Sequence, residues 1–108
     1  MKIVNLTPHS ITIMPDGSVP LTIPASCQLA RCTTRTVQTG TVNGWIPVTE
    51  TEYGSVEGLP APEDGTIYIV SALVAGRCKE RDDVFIPNES VRDDKGRIIG
   101  CKSLGRVR

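Results

Sequence analysis

Long apolar runs, aromatic rings, histidine and a surplus of either charge are all scarce in this chain of 108 residues. The longest near-apolar stretch, Ile67 to Gly76, is about half of the ~20 residues that a membrane-spanning helix requires, so no membrane partner is expected. No long apolar segment precedes a cleavage site near the N-terminus, which therefore does not read as a secretory signal; the cytoplasm is the expected location. Lys and Arg number 12 against 12 Asp and Glu. General nucleic-acid binding is not expected on that balance, because neutralising phosphates takes surplus cations. His9 is the single histidine, which excludes any site built on two imidazoles. Neither G-x-x-x-x-G-K-[ST] nor G-x-G-x-x-G occurs, and no cofactor is expected. Cys27, Cys32, Cys78 and Cys101 contain no C-x2-C pair, so no metal site is expected either. Reduced thiols acting as small buried hydrophobes are the reading for these four.

What the chain has in abundance is branching at Cβ: 11 Val, 10 Ile and 11 Thr, against six Leu and five Ala. Such side chains lose rotamers in a helix and pack well on a pleated surface. Turn signals punctuate them. Pro15-Asp16-Gly17 separates Ser10–Met14 from Val19–Ile23, and Asp93-Asp94-Lys95-Gly96 separates Val84–Arg92 from Arg97–Leu104. Asn43-Gly44 separates Val37–Val42 from Trp45–Thr51; a two-residue type I′ turn there would pair Val42 with Trp45 and set Thr39 opposite Val48. Pro47 marks an edge strand or a bulge. Thr66 to Val70 reads as a buried central strand. After it, Ser71 can cap a short helix that ends at Gly76 in the left-handed region.

The expected architecture is thus mostly β with a minor α contribution. It is a small single-domain antiparallel sheet, either a sandwich or a partly open barrel, with three hairpins and one short helix near 71–76. One compact domain is expected over residues 1–108, with residues 105–108 frayed. Charge is uneven: residues 1–60 hold seven charged side chains and residues 61–108 hold seventeen. Arg97, Lys102, Arg106 and Arg108 in the last twelve residues read as a solvated end.

Candidate site residues are polar groups set among apolar ones. Asn5 interrupts Ile3-Val4 and Leu6, Arg31 stands between Ala30 and Cys32, and Tyr68 is embedded between Ile67 and Ile69. With Thr7, His9, Ser71, Arg81 and Asp82 they would form a ligand pocket if the strand ends converge. Such a pocket would offer guanidinium groups and helix-terminal N–H groups to an anion. The competing reading is that each faces solvent on the outer side of a half-exposed sheet. No catalytic residue is assigned: Ser71 lacks the surroundings of a nucleophile elbow, and no local signature pairs a thiol with His9.

Several longer stretches have a character of their own. They are Met1-Lys2-Ile3-Val4-Asn5-Leu6-Thr7-Pro8-His9, Ile46-Pro47-Val48, Gly65-Thr66-Ile67-Tyr68-Ile69-Val70-Ser71, and Gly96-Arg97-Ile98-Ile99-Gly100. Together with Tyr53-Gly54, Gly58-Leu59-Pro60 and Asp83-Val84, they resemble a family of small proteins from bacteriophages and mobile elements across nearly the whole chain. The resemblance supplies context and no chemistry. It implies a bacterial host cytoplasm and, by analogy, interference with a host system. Three functions compete. The favoured one is a non-catalytic protein that sequesters a small anionic ligand, such as a nucleotide-derived host defence signal, within a homo-oligomer. The second is an inhibitor or accessory protein that acts through protein–protein contact. The third is a small hydrolase using His9 with an acid, or a thiol.

Overall fold

The computed structural model describes residues 1–107, and among these eight strands and one short helix form. In chain order they are β1 (Lys2–Asn5), β2 (Ile11–Ile13), β3 (Leu21–Ile23), β4 (Arg31–Val42), β5 (Ile46–Glu57) and β6 (Thr66–Ile69). The helix α1 (Ala72–Gly76) follows, then β7 (Val84–Arg92) and β8 (Ile98–Gly105). The class is the mostly-β one that the branched composition implies. Six strands make one curled sheet in the order β1-β6-β7-β8-β2-β3, while β4 and β5 form a separate two-stranded ribbon.

All three turn signals produce hairpins, joining β2 to β3, β4 to β5 and β7 to β8. At the second, Asn43 and Gly44 take φ of 54° and 73°, and the Trp45 N–H returns to the Val42 carbonyl at 3.3 Å. Register there differs from the expectation by one residue. Val42 stands opposite Ile46, and Gly40 rather than Thr39 opposite Val48, because Trp45 joins Asn43 and Gly44 in the loop; the bulge between Gln38 and Gly40 then restores the expected register from Gln38 and Thr49 onward.

The sheet is also mixed and not purely antiparallel. β1 runs parallel to β6, β6 to β7, and β2 to β8. A tight turn can announce only antiparallel neighbours; parallel neighbours need a crossover, and here β6 reaches β7 through α1. Ser71 caps that helix as expected, accepting from the Val74 N–H at 3.3 Å. Gly76 does not end it in the left-handed region. Arg77 closes it at φ −93°, its N–H returning to the Val74 carbonyl. We expect Ser71→Ala to lower stability by about 1 kcal/mol with an unchanged denaturant slope, measurable by urea unfolding.

Alternation along β6 buries both faces of the sheet. Tyr68 and Val70 pack with Leu6, Ala30, Val74, Ala75, Cys78 and Val84, under α1 and the base of the ribbon. Ile69, fully buried, lies outside that cluster on the other face. The outer strands β1 and β3 curl toward each other, so the sheet is a nearly closed barrel. The chain leaving β3 runs along β1: the Ser26 N–H donates to the Asn5 carbonyl at 3.1 Å and the Ala30 N–H to the Leu6 carbonyl at 3.1 Å. Gly58 turns the end of β5 back with φ 82°, and a Cβ there would collide with the Leu29 carbonyl.

At the C-terminus, Gly105 still belongs to β8 and Val107 packs against the core cluster. Arg106 donates to the Arg81 carbonyl at 3.0 Å and to Asp82 at 3.1 Å. Residue 108, part of the expected frayed end and of the basic tail, lies outside the described residues. The other tail cations sit beside acids: Arg97 beside Asp93, Lys102 beside Asp16 and Arg106 beside Asp82.

Candidate functional site

A concavity of about 480 Å³ opens where β1 and β6 meet the segment after β3 and the loop before β6. Parallel pairing sets Lys2 beside Thr66 and Val4 beside Tyr68, so strand alternation turns these four toward the cleft and the underlying core. Ile23, Pro24, Ala25, Ser26 and Gln28 form one wall, and Pro60 and Glu63 the other. The lining is largely apolar, with a single cation, Lys2, and a single acid, Glu63, among its residues.

Tyr68 lies in this lining. Only 3% of the residue is exposed, and no buried side-chain oxygen of the described residues lacks a partner, so its hydroxyl, which bonds to no other described side chain or carbonyl, meets water at the cleft. Buried phenols normally find a partner. Here the ring contributes to the core while its polar tip borders the cleft.

Asn5 also lines the cleft, but its side chain is fully engaged inside the protein. Nδ2 donates to the carbonyls of His9 at 2.7 Å and Ile23 at 3.2 Å, and Oδ1 accepts from the Thr7 N–H at 3.0 Å. Thr7 Oγ1 stands 2.6 Å from Asn5 Oδ1. Asn5 and Thr7 thus shape the bend after β1 and tie β1 to β3. His9 contributes its carbonyl to that bend while its residue is exposed.

The remaining candidates lie elsewhere. Arg31 is exposed at the start of β4, opposite Glu57. Ser71 directs its hydroxyl to its own helix. Arg81 grips Asp83 with two bonds of 2.8 Å and donates to the Pro60 carbonyl at 3.0 Å. Asp82 is exposed and accepts from Arg106. The eight residues therefore do not gather into one pocket, and the guanidinium groups that would have met an anion are not in the cleft lining. The reason is local competition: Asp83 and Val74 are closer partners for Arg81 and Ser71 than any common centre.

Hydrogen bonds from Arg81 hold the Asp83 carboxyl below the usual carboxylate range against the opposing effect of burial, and the same bonds push Arg81 up. Asp93 is held low by the Arg97 backbone N–H, helped by the Arg97 side chain and the Lys95 N–H. Burial pushes the Cys78 thiol up, with Glu80 adding to the effect, which keeps it in the unreactive protonated form. Cys78 and Cys101 are buried as expected of small hydrophobes and Cys32 is half-buried, but Cys27 is exposed with φ 67°. Among the described residues no group of three or more His, Cys, Asp or Glu side chains is placed to hold a metal ion, and no helix is long and apolar enough to cross a membrane.

Sequence reasoning found Tyr68 and Asn5 but missed Lys2, Ser26, Gln28 and Glu63. Lys2 carried a faint signal, since it begins the alternation that continues through Val4 and Leu6. Ser26 and Gln28 carried none, because only the closing of the barrel brings them to β1. Comparison with protein-family models, with curated proteins and with solved structures finds no match to this chain.

Proposed function

We propose that this protein is a non-catalytic binder that sequesters a small anionic ligand of nucleotide size in the cleft between β1 and the segment after β3. The observation that carries the reading is the cleft itself, a concavity of about 480 Å³ at whose floor the largely buried Tyr68 presents its hydroxyl beside Lys2 and Glu63. At about 480 Å³ the cleft lies within the range of small-molecule sites. Its apolar walls, Pro24, Ala25, Ile23 and Pro60, suit the faces of a planar base. Lys2 supplies the charge for a phosphate, and Glu63 can accept from sugar hydroxyls or a base amino group. The resemblance to small phage and mobile-element proteins turns this chemistry toward a nucleotide-derived host signal, and hence toward an anti-defence role.

Isothermal titration against cyclic and ADP-ribose-type nucleotides tests the reading. Tight binding of one class is expected, with the ligand recovered chemically unchanged after prolonged incubation. Tyr68→Phe should weaken that binding about tenfold, or about 1.4 kcal/mol, while changing stability by less than about 1 kcal/mol. Silence with the whole panel, and no small molecule released on denaturing protein purified from a bacterial host, would remove the reading.

A further inference from the structure

The ribbon of β4 and β5 is an arm. Each strand has twelve residues, a length of about 40 Å at the usual rise, and nearly every residue beyond its base is exposed. The radius of gyration, 17.1 Å, exceeds the ~13 Å of a compact chain of this length. A two-stranded hairpin is marginal in water by itself. This one leaves both outer edges of its backbone unpaired.

Two features of the arm point to what covers it. The first is charge. β4 carries Arg31 and Arg35 and no acid; β5 carries Glu50, Glu52 and Glu57 and no base. Edge strands are often blunted by charge of either sign. Segregating the signs pairs them across the arm itself, Arg35 with Glu52 and Arg31 opposite Glu57, and it also leaves the arm with one basic and one acidic edge, which attract when two arms lie side by side. The second feature is a face. Residues opposite one another share a face, so Ile46, Val48 and Glu50 lie with Val42, Gly40 and Val37. Without the bulge between Gln38 and Gly40, Val37 and Val42 would face opposite ways. The bulge gathers Val37, Val42, Ile46 and Val48 on one side, next to Trp45 at the tip, which is 75% exposed.

We propose that the arm assembles copies of this chain, β5 of one copy pairing along β4 of the next. Arms pointing the same way meet in antiparallel register, and Glu50 and Glu52 of one copy then stand near Arg35 of its neighbour on the same face. The contact is head-to-tail, so it generates a ring where the rotation between copies closes and a filament where it does not. This inference does not depend on what fills the cleft.

The charge pattern supplies the test. Arg31→Glu with Arg35→Glu makes both edges acidic, and Glu50→Lys with Glu52→Lys leaves β5 with a basic middle. Wild type should self-associate in light scattering and native mass spectrometry. Each double variant alone should associate at least tenfold more weakly, and an equimolar mixture of the two should recover association by alternating. Variants that associate alone as well as wild type overturn the proposal, as does a mixture that stays monomeric. Hydrogen exchange on the unmodified chain gives an independent reading. Amides of β4 and β5 should be protected at high concentration and lose protection on dilution; protection that ignores concentration overturns the proposal.

Discussion

Asn5→Ala is expected to lower the free energy of unfolding by about 4 kcal/mol, a fall of roughly 15–30 °C in melting temperature for a domain of this size. The size of the effect follows from what the side chain holds. It closes the bend after β1 through the Thr7 N–H and the His9 carbonyl, and it reaches across to the Ile23 carbonyl at the end of β3. Asn5 is 1% exposed, so Ala leaves the Thr7 N–H and the buried Ile23 carbonyl without this partner, while the His9 carbonyl keeps the Thr7 hydroxyl at 3.0 Å. Local and long-range contacts fail together, because one amide serves both. Asn5→Asp separates them. A carboxylate keeps the bond from Thr7 but sets a charge against the two carbonyls, and the loss should approach that of Ala. Urea unfolding of both variants measures this; a change under about 1 kcal/mol in Asn5→Ala would show that the barrel closes without its seam.

Breaking the Arg81–Asp83 pair is the second large effect. The side chains are 18% and 17% exposed, and the guanidinium also holds the Pro60 carbonyl. It thereby joins the loop before β7 to the loop before β6, along one wall of the cleft. Arg81→Met should cost about 3 kcal/mol, because it leaves a largely buried carboxylate unpaired; Arg81→Met with Asp83→Leu should recover most of that loss. Asp83→Asn gives the pH dependence. The folded-state carboxyl titrates below its unfolded value, so its stabilisation is complete above the ordinary carboxylate range. It is lost as pH falls from about 4 through the lowered folded value. Arg81 does not titrate in that window. The unfolding free energy of Asp83→Asn should thus fall less steeply with acid than that of the unmodified chain. Parallel profiles would remove the pair from acid unfolding.

The same two sites show why the sequence revealed some roles and concealed others. Asn5 stood out as polar among apolar neighbours, and that contrast signals importance of either kind, binding or scaffolding. Only the position of Ile23 decides between them, eighteen residues away across the barrel seam. Arg81 read as a guanidinium available to an anion, yet Asp83, two residues on, takes it up with two bonds of 2.8 Å. Tyr68 is the opposite case. Embedding between Ile67 and Ile69 predicted burial, and the opening of its hydroxyl end onto a cleft appears only in three dimensions.

By itself, then, the sequence determined what is local. Branched side chains chose extended backbone, Asn43-Gly44 and the two aspartate-glycine turns chose hairpins, and Ser71 chose where the helix begins. These choices depend on torsions and hydrogen bonds within a few residues. Tertiary structure decided the parallel neighbours of β6, the cleft wall at Ser26 and Gln28, and the apolar face of the arm. Parallel pairing closes loops too long to leave a turn signal. The one-residue bulge reverses which way every later side chain in β4 points, a change of phase that no pattern of residue types discloses.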